Sequence, residues 1–153
     1  MGWIVFFFAA WLLALLLVPI KEWRKLWPAG IVGLILLYLI DILLIKLGAI
    51  SYRTDHTLLY KLVGLPTFYW TSAFPAAIIL VYHYPSQNWQ RVLYILFTAG
   101  LFLGLEIIMG WLGYFYPRQW SSVIAYCLDV GGFLVVISLS RWVLALMMNI
   151  KNQ

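Results

Sequence analysis

The sequence contains few charged residues, one cysteine and two histidines among its 153 residues. Because Cys127 has no second cysteine to pair with, an intramolecular disulfide is excluded. His56 and His83 lie far apart in the chain, and no cysteine–histidine group has zinc-ligand spacing, so the sequence predicts no metal site. Charged residues make up 10% of the chain, against about 25% in soluble domains, and this scarcity argues against a soluble fold.

Apolar residues take the place of the missing charges. The chain is 65% hydrophobic and 18% aromatic, with a mean hydropathy of +0.97. A small soluble fold has too little interior to bury so much apolar surface, whereas a lipid bilayer acts as its solvent. Because Trp and Tyr residues concentrate at the two membrane interfaces, the aromatic content also indicates an integral membrane protein.

Five apolar runs follow one another along the chain, each close to the roughly 20 residues that cross about 30 Å of hydrocarbon. The sequence therefore predicts an all-α membrane protein with a single domain over residues 1–153. Its expected bundle of about five transmembrane helices covers residues 3–20, 29–48, 65–84, 92–116 and 121–146. Pro28 is expected to open the second helix, where its missing N–H costs nothing, after a basic and aromatic interfacial turn.

The longest connection, residues 49–64, allows two interpretations. Thr54 or Asp55 is a suitable N-cap for a short helix, and Leu58, Leu59 and Leu62 would then share one face lying in the membrane interface. An ordinary folded loop fits the sequence equally well.

The orientation follows from the distribution of lysine and arginine, which concentrate in cytoplasmic loops. Six of these residues fall on the side reached after the first helix and four on the other: Lys21, Arg24, Lys25, Arg91, Arg141 and Lys151 against Lys46, Arg53, Lys61 and Arg118. The sequence thus predicts a multi-pass protein of the cell membrane with its N-terminus outside and its C-terminus in the cytoplasm.

Three acids interrupt the apolar runs: Asp41, Glu106 and Asp129. A charged side chain at the bilayer centre costs at least about 2.5–3.5 kcal/mol, so such residues face the interior of a bundle and usually have a task. Counted from the predicted helix ends at a rise of 1.5 Å per residue, all three lie roughly 10–15 Å below the same membrane surface.

Helical spacing places hydroxyl groups beside these acids. Tyr38 lies one turn from Asp41, and Tyr126 one turn from Asp129. Pro75 is expected to kink the third helix and free backbone carbonyls near two further hydroxyls. The candidate ligand-binding residues are therefore Asp41, Glu106, Asp129, Tyr38, Tyr126, Thr71 and Ser72. On the fourth helix, Gly100 and Gly104 form a pair that permits close helix approach, which predicts that this helix is central.

Three functions remain open at this stage. The favoured one is a polar intramembrane pocket that binds a cation, a proton or a small amphiphile, for transport or sensing. Glu106 and Asp129 could instead act as general acid and base in a membrane enzyme on a lipid or isoprenoid, although the sequence favours a non-enzymatic role and no catalytic residue is assigned. Alternatively, the acids only fix helix packing in a structural accessory subunit, through hydrogen bonds of neutral carboxyls.

The expected partners follow from charge and size. The net charge of +5 is scattered between apolar runs, so nucleic acid is not expected, and the lipid bilayer with its anionic headgroups is the expected partner. There is no phosphate-binding loop of the nucleotide-binding type in the sequence, and no cofactor is predicted. Transport would then depend on an ion gradient, on a homo-oligomer or on a partner membrane subunit.

The chain also resembles a group of small, uncharacterised multi-pass membrane proteins from Gram-positive, often spore-forming, bacteria. The residues that carry the resemblance are Trp23-Arg24 through Trp27-Pro28-Ala29-Gly30, Asp41, the segment from Pro66 and Pro75 to Tyr84-Pro85, Glu106, Trp120 and Asp129. The resemblance implies a multi-pass helical architecture and assigns no chemistry.

Overall fold

The computed structural model describes residues 2–53, 61–62, 65–118 and 121–151, and it is mainly helical. The helices are α1 (Gly2–Leu17), α2 (Ile20–Lys46), α3 (Thr67–Thr71), α4 (Ala73–Tyr82), α5 (Asn88–Trp111) and α6 (Ser122–Lys151). The strands are β1 (Ile50–Tyr52), β2 (Lys61–Leu62), β3 (Leu65–Pro66) and β4 (Phe115–Pro117). The predicted all-α class is confirmed, with two short strand pairs added to it.

Three helices of the described chain are long and apolar enough to cross a membrane: α2, α5 and residues Ser122–Met147 of α6. Two apolar stretches are shorter, α1 and Thr67–Tyr82. With 16 residues, α1 is about 24 Å long, somewhat less than the roughly 30 Å of a hydrocarbon core. The chain therefore has the helices of a membrane protein, and three of them meet the length of a full span.

The connection between the first two helices differs from the prediction. Residues 21–27 are helical, and the chain turns at Val18 and Pro19 instead. Pro28 consequently lies inside α2 and does not open it. A proline in a helix removes one backbone hydrogen bond, but here its ring is buried among the packed helices, and that packing offsets the loss.

The third predicted helix is divided into α3 and α4 at Ser72, three residues before Pro75. The N–H of Ser72 donates to the carbonyl of Tyr69 at 3.1 Å, so the chain tightens there to a shorter turn. Pro75 has no N–H to donate to the carbonyl of Thr71, four residues earlier. The interruption therefore falls where the sequence predicts a kink.

Two helices end in the same glycine motif. Gly48 after α2 and Gly113 after α5 both have positive φ, at 70° and 74°, a conformation that glycine adopts without steric cost. In each case the following residue closes the helix with a wide hydrogen bond, from the N–H of Ala49 to Leu44 and from that of Tyr114 to Met109. The motif ends α5 at Trp111, so the predicted end at 116 is wrong.

The chain leaves both glycine motifs as a strand, and β1 pairs antiparallel with β4. The register matches Ile50 with Pro117 and Tyr52 with Phe115. We call this end of the bundle the strand end, and the opposite end, with the Val18–Pro19 turn and residues 83–87, the turn end. The short β2–β3 pair joins the end of the 49–64 connection to Leu65–Pro66, where the third helix was predicted to begin. The predicted interfacial helix there falls largely on residues 54–60, outside the described part of the chain.

The two most extensive contacts between helices are those of α2 with α4 and of α2 with α6, so α2 is the central element. Gly33 allows the close approach to α4: a Cβ added there would lie 2.3 Å from the Cβ of Ala77. By contrast, a Cβ added at Gly104 would meet nothing within 4 Å. The prediction that the fourth helix is central through Gly100 and Gly104 is therefore wrong.

Candidate functional site

The three acids come from three different helices: Asp41 from α2, Glu106 from α5 and Asp129 from α6. Glu106 interacts electrostatically with both Asp129 and Asp41, and Asp129 also interacts with Asp41. Within the described residues, no lysine, arginine or histidine forms an ion pair with any of them. The fold thus brings three carboxyl groups within electrostatic range of one another, with no basic partner in the described part of the chain.

Asp41 is the most buried of the three, with 5% of its surface exposed. Its Oδ2 accepts a hydrogen bond of 3.0 Å from the hydroxyl of Tyr52 in β1, and the hydroxyl of Tyr69 interacts with it as well. Tyr52 lies outside the helices that qualify as spans, and burial raises its pKa well above the ordinary value of 10.0. Its hydroxyl therefore stays protonated and acts as the donor to Asp41.

Glu106 contributes to the wall of a small cavity of about 20 Å³. The cavity is otherwise lined mainly by aromatic rings: its wall consists of Trp3, Phe6, Tyr52, Tyr69, Phe102, Leu105, Glu106, Met109 and Phe115. Its volume is that of about one water molecule, and its lining is almost wholly apolar although Glu106 is one of the surrounding residues. Aromatic faces attract cations, and together with a carboxyl group they form surroundings that favour a positively charged guest.

The aromatic wall is a packed cluster at the strand end. The ring of Trp3 lies 5.0 Å from that of Tyr69 and 5.6 Å from that of Tyr52, and Tyr52 also contacts Phe115 at 5.4 Å. The indole of Trp3 donates a hydrogen bond of 3.2 Å to the carbonyl of Arg53. The start of α1 is therefore held against β1, and both contribute to the wall of the cavity.

Asp129 differs from Asp41 in its hydrogen bonding. Its residue is half-buried, and the atom Oδ2 is buried with no hydrogen-bond partner among the described residues. Buried polar atoms in proteins are nearly always paired, so each exception calls for an explanation such as a bound water or ion. Asp129 thus has a buried acceptor atom that is free to bind a further donor or a cation.

The predicted hydroxyl groups donate elsewhere. Thr71 donates to the carbonyl of Thr67 at 2.6 Å, and Ser72 donates to that of Tyr69. Tyr126 donates to the carbonyl of Leu96 at 3.0 Å, which ties α6 to α5. The ring of Tyr38 lies 5.3 Å from that of Trp70. Thr71, Ser72 and Tyr126 thus support the helices around the acids and donate to backbone carbonyls, not to a carboxyl group.

Sequence reasoning missed Tyr52, Tyr69 and Trp3. Tyr69 lies one turn before Ser72 on the third helix, so its position on that helix was a usable signal. Tyr52 and Trp3 carried none, because their approach to the acids depends on strand pairing and on contacts between residues about 50 positions apart. We call Asp41, Glu106 and Asp129 with Tyr52 and Tyr69 the acid–tyrosine cluster.

The donor set limits which ions fit this cluster. In the described part of the chain, no three histidine, cysteine or acidic residues are grouped closely enough to hold a metal ion. The cluster instead offers single carboxyl groups, tyrosine hydroxyls and aromatic faces. Such an environment is suited to a proton, a water molecule or a small monovalent cation.

Compared with known proteins, the chain matches no family model, no curated protein and no solved structure.

Proposed function

We propose that this is a multi-pass protein of the cell membrane whose acid–tyrosine cluster binds a proton or a small monovalent cation, for transport or for sensing. One observation supports the proposal: Asp41, Glu106 and Asp129, from three helices, lie within electrostatic range of one another with no basic partner among the described residues. Uncompensated carboxylates in a low dielectric repel one another, and a shared proton or a bound cation relieves the repulsion.

The size and lining of the cavity favour a small guest. A volume of about 20 Å³ beside Glu106 holds about one water molecule, and it is too small for the acyl chain of an amphiphile. The unpartnered Oδ2 of Asp129 supplies a second acceptor. A proton carried on water, or a cation of similar size, fits these features better than the amphiphile considered from the sequence.

The test of this function is ion flux in reconstituted vesicles. We expect the purified protein to dissipate an imposed pH or monovalent-cation gradient, measured with a pH-sensitive dye or an ion-selective electrode. Glu106→Gln keeps the shape of the side chain and removes its charge, so the flux should fall to the level of vesicles without protein.

Glu22→Gln is the matched control for this experiment. It is the same chemical change, at an acid that pairs with Lys25 near the start of α2, and the flux should be unchanged. If Glu106→Gln transports as well as the native protein, the proposed role of the cluster is wrong. If the protein dissipates no gradient but its carboxyl groups give ligand-dependent difference infrared signals, the cluster senses the ligand and does not transport it.

A structural role is the second candidate, and the bond between Tyr52 and Asp41 favours it. A buried, hydrogen-bonded acid that joins α2 to β1 would also be needed in an accessory subunit. The two candidates differ at Glu106, which has no hydrogen bond to a described residue: a structural subunit tolerates Glu106→Gln, whereas a proton or cation site does not.

The proposed topology has five spans, with the N-terminus outside and the C-terminus in the cytoplasm. Helix α1 and the stretch Thr67–Tyr82 would be the two short spans, helped by their aromatic flanks. The turn end carries more basic residues than the strand end, which supports a cytoplasmic position for it. The resemblance to small multi-pass proteins of Gram-positive bacteria is consistent with this architecture, and a homo-oligomer or a partner subunit remains part of the proposal.

Reporter fusions test the topology. A cytoplasm-only reporter fused after Gln153 should be active, and the same reporter fused before Met1 should be silent, since the predicted ends lie on opposite sides. Fusions at Gln87, in the turn end, should match the C-terminal result. Activity at both termini would contradict an odd number of spans, and activity only at the N-terminus would reverse the orientation.

A further inference from the structure

Two arginines converge on one tyrosine at the turn end. The guanidinium carbons of Arg91 in α5 and Arg141 in α6 each lie 5.6 Å from the centre of the Tyr84 ring. The two positive groups are consequently no more than twice that distance apart. Arginine over an aromatic ring is stabilised by a cation–π interaction, but that interaction leaves both charges uncompensated.

The acids of the described chain lie elsewhere. Glu22 pairs with Lys25, and the three remaining described acids form the acid–tyrosine cluster. Arg91 is held in place by hydrogen bonds of 3.1 Å to the carbonyl of Pro85 and to Asn88. Neither arginine forms an ion pair with a described residue. The pair is therefore positioned by the fold, and no anion among the described residues neutralises it.

We infer that Arg91, Arg141 and Tyr84 bind the phosphate of an anionic phospholipid headgroup. The planar guanidinium group presents paired N–H donors that match phosphate oxygens. Two tryptophans mark the headgroup level beside the site, Trp89 at 63% and Trp142 at 62% exposure. A phosphate carried on a lipid reaches this level from the bilayer, and for this reason we assign the site to a lipid rather than to a free anion.

The first turn of α5 adds donors on the same side. Its N-cap, Gln87, makes no side-chain capping hydrogen bond to the helix and instead accepts one of 3.1 Å from the indole of Trp89. Free backbone N–H groups at a helix start favour anions. The inference does not depend on the acid–tyrosine cluster, which lies toward the opposite end of the bundle.

The test compares lipid preference by native mass spectrometry of the purified protein offered equal amounts of phosphatidylglycerol and phosphatidylcholine. We expect the native protein to retain phosphatidylglycerol preferentially. Arg91→Gln with Arg141→Gln should lower that preference by at least about tenfold, since a hydrogen bond between charged groups contributes about tenfold or more. Arg91→Lys with Arg141→Lys keeps the charge but removes the paired donors, and it should lose part of the preference.

The control is Lys21→Gln with Arg24→Gln, which removes two exposed charges from the same end of the molecule. Its lipid preference should stay within about twofold of the native value, because those residues do not touch the site. An equal loss in the control would show general surface attraction and overturn the inference. If inorganic phosphate raises the thermal stability of the protein as much as phosphatidylglycerol micelles do, the assignment to a lipid is wrong. If the double glutamine variant does not fold, the double lysine variant provides the test. A lipid preference equal to that of the native protein would then refute the inference.

Discussion

Gly33→Ala is expected to lower the stability of the helical bundle by about 1–3 kcal/mol, the usual cost of forcing extra atoms into a packed core. A Cβ at this position would lie 2.3 Å from the Cβ of Ala77 and 3.1 Å from the carbonyl oxygen of Ala73. Neither atom belongs to the end of a flexible side chain, so α2 and α4 would have to move apart. Because α2 is the central helix, that separation would also disturb its contact with α6.

Gly104→Ala is the matched control. It makes the same replacement inside a helix, but a Cβ there meets nothing within 4 Å. Alanine favours helix over glycine by up to about 1 kcal/mol, so stability should stay equal or rise. Thermal unfolding in detergent, followed by the loss of monodisperse protein, measures both variants. Equal stability of the two variants would contradict the close approach at Gly33. It would favour a close helix contact at Gly100 and Gly104 of α5 instead.

The helical content was predictable because hydrophobic length alone selects helices in a bilayer. The ends of the helices were harder to predict from the sequence. Pro28 looks like a helix start in the sequence, yet it lies inside α2, since a proline whose ring is buried can be tolerated there. Gly113 was a usable signal for the end of α5, because a glycine after an apolar run suits the left-handed conformation. Treating residues 92–116 as one apolar run extended the predicted helix past this glycine to 116.

The site was predictable in its acids and not in their partners. An acid inside an apolar helix is costly enough to stand out in the sequence. Counting residues from the predicted helix ends then gave all three acids a similar depth. Tyr38 and Tyr126 were chosen by spacing from an acid on the same helix, and Thr71 and Ser72 by the expected kink at Pro75. Thr71, Ser72 and Tyr126 donate to backbone carbonyls instead. Tyr52 reaches Asp41 because β1 folds back after Gly48 and pairs with β4. Local periodicity contains no information about that return.

The strand pairing therefore links fold and site. Gly48 and Gly113 turn the chain at the ends of α2 and α5, the helices that carry Asp41 and Glu106. Pairing of β1 with β4 then sets the two helix ends side by side and brings Tyr52 and Phe115 to the wall of the cavity. A change in this pairing would alter the cavity without touching an acid.

Asp41→Ala is expected to cost about 1–3 kcal/mol of stability, the usual penalty for leaving a buried hydrogen-bonding group unpaired. The hydroxyl of Tyr52 would lose its acceptor, and the removed carboxyl would leave a void next to it. Asp41→Asn keeps a carbonyl oxygen at the same place, so we expect it to retain most of the stability. Glu22→Ala, at the exposed acid paired with Lys25, should change stability by less than about 1 kcal/mol.

A double-mutant cycle separates this bond from other effects of the same residues. Tyr52→Phe removes the hydroxyl and keeps the ring in the aromatic wall, so the cycle of Tyr52→Phe with Asp41→Ala isolates the hydrogen bond of 3.0 Å. Measured coupling energies between helices in membranes average about 0.6 kcal/mol and reach about 1.7, and we expect a value in that range. A coupling near zero would mean that Tyr52 does not hold Asp41. If the coupling energy lies in that range and the Tyr52→Phe variant still conducts ions, the bond stabilises the fold while Glu106 and Asp129 bind the ion.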